Sequence, residues 1–219
     1  AQVLPITEDF TSNKRGWPQD DERRIQNGVY ELLSTEEGVQ GAINFYVDPG
    51  ADFETGVEIT QRGGSDQSIF GLIWNSGMDN YNAFIISPMG EYIIINGAIE
   101  QNLKGWKKAK VIQEETNSLK VLHENGKDIF FINDTKVDER KPSALFGQWC
   151  GVLALSHVKL EVDNYFFRQE QRAVNDDKNF PTLKKENLGD RVNSSYDDLG
   201  PIISADGKTI YFARQNVAG

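Results

Sequence analysis

LKVLHENGKDIFFIN, residues 119–133, is the stretch from which the fold is read. Two runs, Leu119 to Glu124 and Asp128 to Asn133, flank the dipeptide Asn125-Gly126. Both residues of that dipeptide accept the positive φ that a type I′ turn requires, so it is the strongest short signal for an antiparallel hairpin. Asp134-Thr135 then leads into a further strand at Lys136 to Glu139.

The same grammar extends outward on both sides. From Val39 to Val47, Val39, Ile43, Phe45 and Val47 share one face and Gln40, Asn44, Tyr46 and Asp48 the other, before Pro49-Gly50 turns the chain. From Asp52 to Arg62, Phe53, Val57 and Ile59 oppose Glu54, Glu58 and Thr60, and Gly63-Gly64 ends the run. Ser68 to Asn75, SIFGLIWN, is apolar on both faces and predicts a central strand. Asn82 to Ser87 and Glu91 to Asn96 flank Pro88-Met89-Gly90 as a second hairpin. A last long strand turns Val158, Leu160 and Val162 inward, with Lys159 and Glu161 outward. Helical periodicity is nearly absent. Period-2 alternation broken by turn residues roughly every 8–12 positions predicts an all-β sandwich or barrel.

Composition narrows the partners. The 219 residues carry a formal net charge of −10, and an acidic surface repels phosphate backbones, so nucleic acid is not expected. No run of about 18 apolar residues exists, so no transmembrane segment is expected. Cys150 is the one cysteine, so no internal disulfide can form, and with only His123 and His157 beside it a zinc site is not expected. Cys150 lies in an apolar stretch and reads as buried and inert. The histidines lie in strand patterns and read as structural. The chain starts at Ala1 without Met, which suits a mature end left after signal-peptide removal or an arbitrary boundary.

Several stretches together carry a resemblance: Phe70-Gly71-Leu72-Ile73-Trp74, Tyr81-Asn82-Ala83-Phe84-Ile85-Ile86, Gly90-Glu91-Tyr92, Asn117-Ser118-Leu119-Lys120-Val121, Phe131-Ile132-Asn133 and Val162-Asp163-Asn164-Tyr165-Phe166. Their order resembles bacterial members of the concanavalin A-like lectin/glucanase superfamily, the laminin-G-like jelly rolls. That implies an antiparallel jelly-roll sandwich over residues 1–168. Beyond it the sequence turns polar and aperiodic, and 169–181 reads as a linker. Residues 182–219 are similar to one TolB-type β-propeller repeat of bacterial envelope proteins, through Ser204-Ala205-Asp206-Gly207-Lys208-Thr209-Ile210-Tyr211-Phe212. Asp206-Gly207 would turn the chain between two blade strands, with Ile202, Ile210 and Phe212 facing inward. One repeat cannot close a propeller, which takes at least about four blades. The alternative is a C-terminal hairpin packed on the sandwich.

Three constellations could carry chemistry. Glu54-Thr55-Gly56-Val57-Glu58 is similar to the Glu-x-Asp-x-Glu strand of the superfamily's glucanases, in which the outer pair act as nucleophile and acid/base. Here Gly56 replaces the Asp that would hold the two pKa values apart, and alternating Glu is also what a solvated strand face shows. Sugar rings stack on exposed aromatics, and Trp106, Trp149, Tyr81 and Trp17 are the candidates. Trp74 shares a face with Phe70 and Leu72 and reads as core. Jelly rolls of this kind often hold a structural calcium, implying Asp163 with Asp9 or Glu8 as ligands and no other cofactor. The resemblances imply first a non-catalytic interaction or scaffold module of a larger bacterial envelope protein, extracytoplasmic (periplasmic or cell-surface), with an envelope protein partner. They imply second a carbohydrate-binding module with a glycan partner, and third a glycoside hydrolase using Glu54 and Glu58.

Overall fold

The computed structural model describes residues 5–35, 38–48, 50–169, 197–204 and 208–215. The chain divides into two compact units, Ala1–Arg172 and Ala173–Gly219. In the first, the strands are β1 (Ile6–Glu8), β2 (Arg23–Gln26), β3 (Val29–Ser34), β4 (Val39–Asn44), β5 (Phe53–Gly63), β6 (Ile69–Ser76), β7 (Tyr81–Ser87) and β8 (Glu91–Gly97). A four-residue helix, α1 (Ile99–Asn102), precedes β9 (Lys107–Lys108), β10 (Thr116–Glu124), β11 (Lys127–Ile132), β12 (Thr135–Arg140), β13 (Trp149–Leu155) and β14 (Val158–Gln169).

Two sheets result. The eight-stranded sheet runs β12-β11-β10-β5-β14-β3-β2, with β1 paired to β14, and the six-stranded sheet runs β4-β13-β6-β7-β8-β9. The ladders of both are antiparallel. This is an all-β antiparallel sandwich of jelly-roll type, as the sequence predicts. Asn125 and Gly126 adopt φ 52° and 70°, and Glu124 pairs with Lys127 across them, as a type I′ turn demands. β6 lies between β13 and β7 with both faces buried, so its uniformly apolar sequence does mark a central strand.

Alternation sends one face of each sheet into a shared core. Phe10, Trp17, Tyr30 and Tyr165 nest at one end, with ring centroids 5.1–5.5 Å apart. Trp74, Phe84, Tyr92 and Phe130 nest at the other, 5.3–5.9 Å apart. Trp74 is 1% exposed, as its shared face with Phe70 and Leu72 predicts. Edge-to-face rings of this kind contribute about 0.5–1.5 kcal/mol per pair beyond the area they bury.

Three features depart from the sequence reading. β14 continues past Val162 to Gln169, through a bulge at Asn164, whose φ is 51°. The bulge restores inward alternation, so that Tyr165 and Phe167 are both fully buried. Strands β1, β2, β3, β9 and β13 went unread, although Asn27-Gly28, at φ 53° and 77°, joins β2 to β3 by the same turn dipeptide that joins β10 to β11. His157 is not in a strand: it and Ser156, at φ 23° and 62°, form the turn between β13 and β14.

The described part of the second unit is an antiparallel hairpin, β15 (Asp197–Ile203) with β16 (Ile210–Gln215). Ile202 and Ile210 were expected to face inward, yet they are 66% and 43% exposed. Among the described residues no second layer covers this two-stranded ribbon. Residues 170–181 of the expected linker and the Asp206-Gly207 turn lie outside the described residues.

Candidate functional site

The outer face of the eight-stranded sheet is charged. Glu54 and Glu58 both point outward from β5, as alternation requires. Glu54 lies between Lys120 Nζ, at 3.5 Å, and Arg168 Nη1, at 3.6 Å. Glu58 Oε2 accepts a hydrogen bond from Asn164 Nδ2 at 3.0 Å. The ring of Phe166 covers Gly56 between them: a Cβ on Gly56 would sit 2.6 Å from Phe166 Cε1. Arg168 in turn lies over Phe166, 4.6 Å from its centroid. The two carboxylates therefore serve separate partners with an aromatic ring between them. A retaining hydrolase needs the pair about 5–5.5 Å apart around one shared space. Here Phe166 occupies the space over Gly56 between the two. Gly56→Asp, which rebuilds the glucanase-like pattern, must swing Phe166 aside and is expected to cost about 1 kcal/mol. Thermal denaturation will read that loss, and reducing-sugar release from β-glucans should stay at background.

A second polar region forms where β1 pairs with β14. This pairing brings Glu8, Asp9 and Asp163, the expected calcium ligands, into one corner. Glu8 is 8% exposed and meets Arg15 Nε at 2.7 Å, and burial raises its pKa despite that cation. Asp9 Oδ1 accepts from the Thr11 amide and hydroxyl at 3.1 and 2.8 Å. Asp163 Oδ1 accepts from the Asn164 amide at 2.7 Å. Burial, and then the charges of Glu58 and Asp9, raise the Asp163 pKa. Each carboxylate is thus engaged within its own loop or by Arg15. Among the described residues no three His, Cys, Asp or Glu side chains converge as a ligand set.

The outer face of the six-stranded sheet is of a different kind. Ala42, Ile73, Ala83, Ile85, Ile93, Ile95 and Leu153 form a second apolar cluster there, distinct from the inter-sheet core. Ile99 of α1, Leu103 and Trp106 pack over it, so the segment after β8 lies across the sheet as a partial cover. Beside that cover runs a groove of about 540 Å³. Tyr81, Leu153 and Leu155 supply apolar surface, and Gln40, Asp79, Glu100 and Gln101 supply polar groups. Tyr81 is half-buried, with its hydroxyl donating to the Met78 carbonyl at 3.4 Å. Trp149 opens β13 opposite Asn44 and is 38% exposed on this same face.

The structure thus brings Tyr81, Trp106 and Trp149 to one face and removes Trp17 from the set. Trp17 is 1% exposed, and its indole N–H is buried beside Glu8 without a hydrogen bond of full geometry. The Gly16-Trp17-Pro18 loop plunges into the core, where Phe10, Tyr30 and Tyr165 surround the ring. Sequence reasoning missed Gln40, Leu153, Leu155 and α1. The signal was available in β13, which is apolar on both faces (Trp149, Leu153 and Leu155 outward; Cys150, Val152 and Ala154 inward). An antiparallel strand apolar on both faces needs cover, or a ligand, on the outside.

Cys150 is fully buried, and burial pushes its thiol up to about 12. Only a thiolate attacks disulfide reagents. An aromatic disulfide reagent at pH 8 should therefore find no reactive thiol in the native protein and one per chain in denaturant.

No protein-family model matches the sequence, and no curated protein matches it. Solved structures do match the fold. A GH43 glycoside hydrolase engineered for endo-xylanase and exo-arabinofuranosidase activity superposes with a TM-score of 0.55 at 11% identity, over 78% of this chain and 42% of that one. The xylan β-1,4-xylosidase of Bacillus halodurans C-125 gives 0.54 at 12%, over 77% of this chain and 40% of that one. The alginate lyase AlgAT5 of polysaccharide lyase family 7 gives 0.53 at 5%, over 76% of this chain and 94% of that one. The chain spans about two fifths of the length of the two hydrolases and nearly all of the lyase. At these identities the likeness establishes the fold alone, an antiparallel jelly-roll sandwich.

Proposed function

We propose that the sandwich is a non-catalytic glycan-binding module whose site is the groove on the outer face of the six-stranded sheet. The observation that carries this is a groove with an apolar floor, Tyr81 in its wall and a rim of amides and carboxylates, on the sheet face that also carries Trp106 and Trp149. A sugar presents C–H faces and hydroxyl edges. Aromatic and aliphatic floors take the first, and Gln40, Gln101, Asp79 and Glu100 take the second. The volume lies within the ordinary range of ligand clefts. Asp79 and Glu100 are both solvent-exposed, whereas a glycosidic general acid sits in a desolvated pocket, so binding without cleavage is the reading. The structural neighbours are named for action on xylan or alginate, which supports a polysaccharide as the ligand class. An extracytoplasmic location follows from that ligand class.

The test is affinity electrophoresis through gels containing xylan, β-glucan, mannan or alginate, with reducing-sugar release assayed on the same polymers. Retardation in at least one gel with no release of sugar is expected. Release of sugar or of unsaturated products would make the sandwich an enzyme.

The second unit favours an additional role. Ile202, Ile210 and Tyr211 are 66%, 43% and 62% exposed on one short hairpin, a density of apolar surface that marks protein contact. This supports the scaffold reading, with an envelope protein as partner. Ile202→Asp should abolish co-purification of such a partner without lowering glycan affinity.

A further inference from the structure

A cavity of about 60 Å³ lies between the two sheets, remote in kind from the groove, with Asn75, His123 and Asp128 in its wall. Asn75 is 1% exposed, and its φ of 46° places a left-handed residue inside β6. Its backbone is fully used: the amide donates to Cys150 Sγ at 3.4 Å, and the carbonyl accepts from Phe146 and Gly147 at 3.0 and 3.1 Å. Its side chain is not. Both Oδ1 and Nδ2 are buried without a hydrogen-bond partner. Buried side-chain amides are nearly always satisfied, so an orphaned one, held on strained backbone against a cavity, points to something that fills the cavity.

The rest of the wall is held rigid. His123 stacks on Phe53, with centroids 5.1 Å apart and planes 4° from parallel. His123 Nδ1 lies 2.7 Å from Asp128 Oδ1, and Asp128 Oδ2 accepts from the Ser143 amide at 2.8 Å. Nε2 is the ring's other hydrogen-bonding atom, an acceptor in the neutral ring and a donor in imidazolium. The cavity wall thus offers one acceptor and one donor on the same unpartnered amide, Asn75 Oδ1 and Nδ2. A hydroxyl group satisfies that set, because it donates and accepts at one atom. An anion would face Asp128, and a cation would face Asn75 Nδ2.

We infer that this cavity is a second binding site, taking the hydroxymethyl end of a polyol or of a sugar residue. Its volume is about that of two water molecules, so a –CH2OH group enters and a pyranose ring does not. Val47, Pro142 and Leu145 also line the cavity, and Leu145 is 47% exposed, which offers apolar contact to the carbon skeleton left outside.

The side-chain amide resonances of Asn75 report this directly in the full chain. Titration with glycerol tests the free-polyol source. Cellotetraose, whose glucose residues each carry a hydroxymethyl group, against xylotetraose, whose xylose residues carry none, tests the sugar-borne source. A saturable shift of the Asn75 amide with glycerol, or with cellotetraose but not xylotetraose, is expected. Asn75→Gly keeps the left-handed backbone while deleting the amide and should weaken that binding at least tenfold. Asn75→Asp, which replaces the donor with an acceptor, should do the same. Tyr81→Ala should leave the Asn75 shift intact, so failure of the groove and failure of this cavity are separable. An Asn75 amide that contacts water alone and stays unmoved by all three ligands would overturn the inference, as would equal binding by Asn75→Gly.

Discussion

Replacing Gly71 with alanine is expected to lower the urea midpoint sharply and to leave much of the protein insoluble. Gly71 sits at the centre of β6, opposite Leu153 on β13 and Ile85 on β7. A Cβ there would lie 1.9 Å from the Phe84 carbonyl oxygen and 2.8 Å from Ile85 Cα. Both are backbone atoms of the neighbouring strand, and no rotamer change relieves the clash. The only relief is to part β6 from β7, which breaks ladder hydrogen bonds in the middle of the six-stranded sheet. Overpacking commonly costs about 1–3 kcal/mol, and a clash with backbone belongs at or above the top of that range. Against a total stability on the order of 5–15 kcal/mol, this is a large fraction. Gly63 is the control: a Cβ there meets only Lys159 Cβ, at 3.8 Å, so Gly63→Ala should stay within about 0.5 kcal/mol. A Gly71→Ala midpoint equal to that of Gly63→Ala would contradict the packing described for β6.

Asp128→Ala is expected to cost about 3 kcal/mol, because it removes one carboxylate from two partners at once. Asp128 is 1% exposed and holds both His123 and the Ser143 amide. Its loss strands a buried N–H and an imidazole, and it frees the segment from Ser143 to Gly147 that hydrogen-bonds to Asn75. Hydrogen exchange at Ser143 should accelerate along with the fall in denaturation midpoint. Asp128→Asn keeps an acceptor for one of the two partners and should lose roughly half as much. Equal midpoints for the alanine and asparagine variants would show that the oxygen kept in asparagine replaces neither bond and would contradict this assignment.

Much of this architecture was legible in the sequence, for reasons the structure makes plain. Asn125-Gly126 has one low-energy use, and the chain uses it. SIFGLIWN could be read as central because both of its faces are apolar and both are covered. The aromatics were harder. Exposure depends on which way a loop turns, and Trp17 in Gly16-Trp17-Pro18 offers no period to read, so its burial could not be inferred. Tyr81 could be named because it opens a recognisable strand, whereas Trp149 opens β13, which was not read as one. The groove was not legible, since it depends on α1 and Trp106 folding back over strands distant in sequence. At Glu54 and Glu58 parity shows that two side chains share a face but not what lies between them. Here it is the ring of Phe166, brought in by a bulge at Asn164 that the sequence does not announce.

Calorimetric titration with whichever neutral or uronate oligosaccharide retards the protein best tests the central claim most directly. The variants are Trp149→Ala and Tyr81→Ala on the outer face of the six-stranded sheet, with Phe166→Ala on the opposite sheet as control. Each of the first two should weaken binding about tenfold, roughly 1.4 kcal/mol, while the control binds as wild type does. Affinity unchanged in Trp149→Ala and Tyr81→Ala but lost in Phe166→Ala would place the ligand on the other sheet and contradict the account.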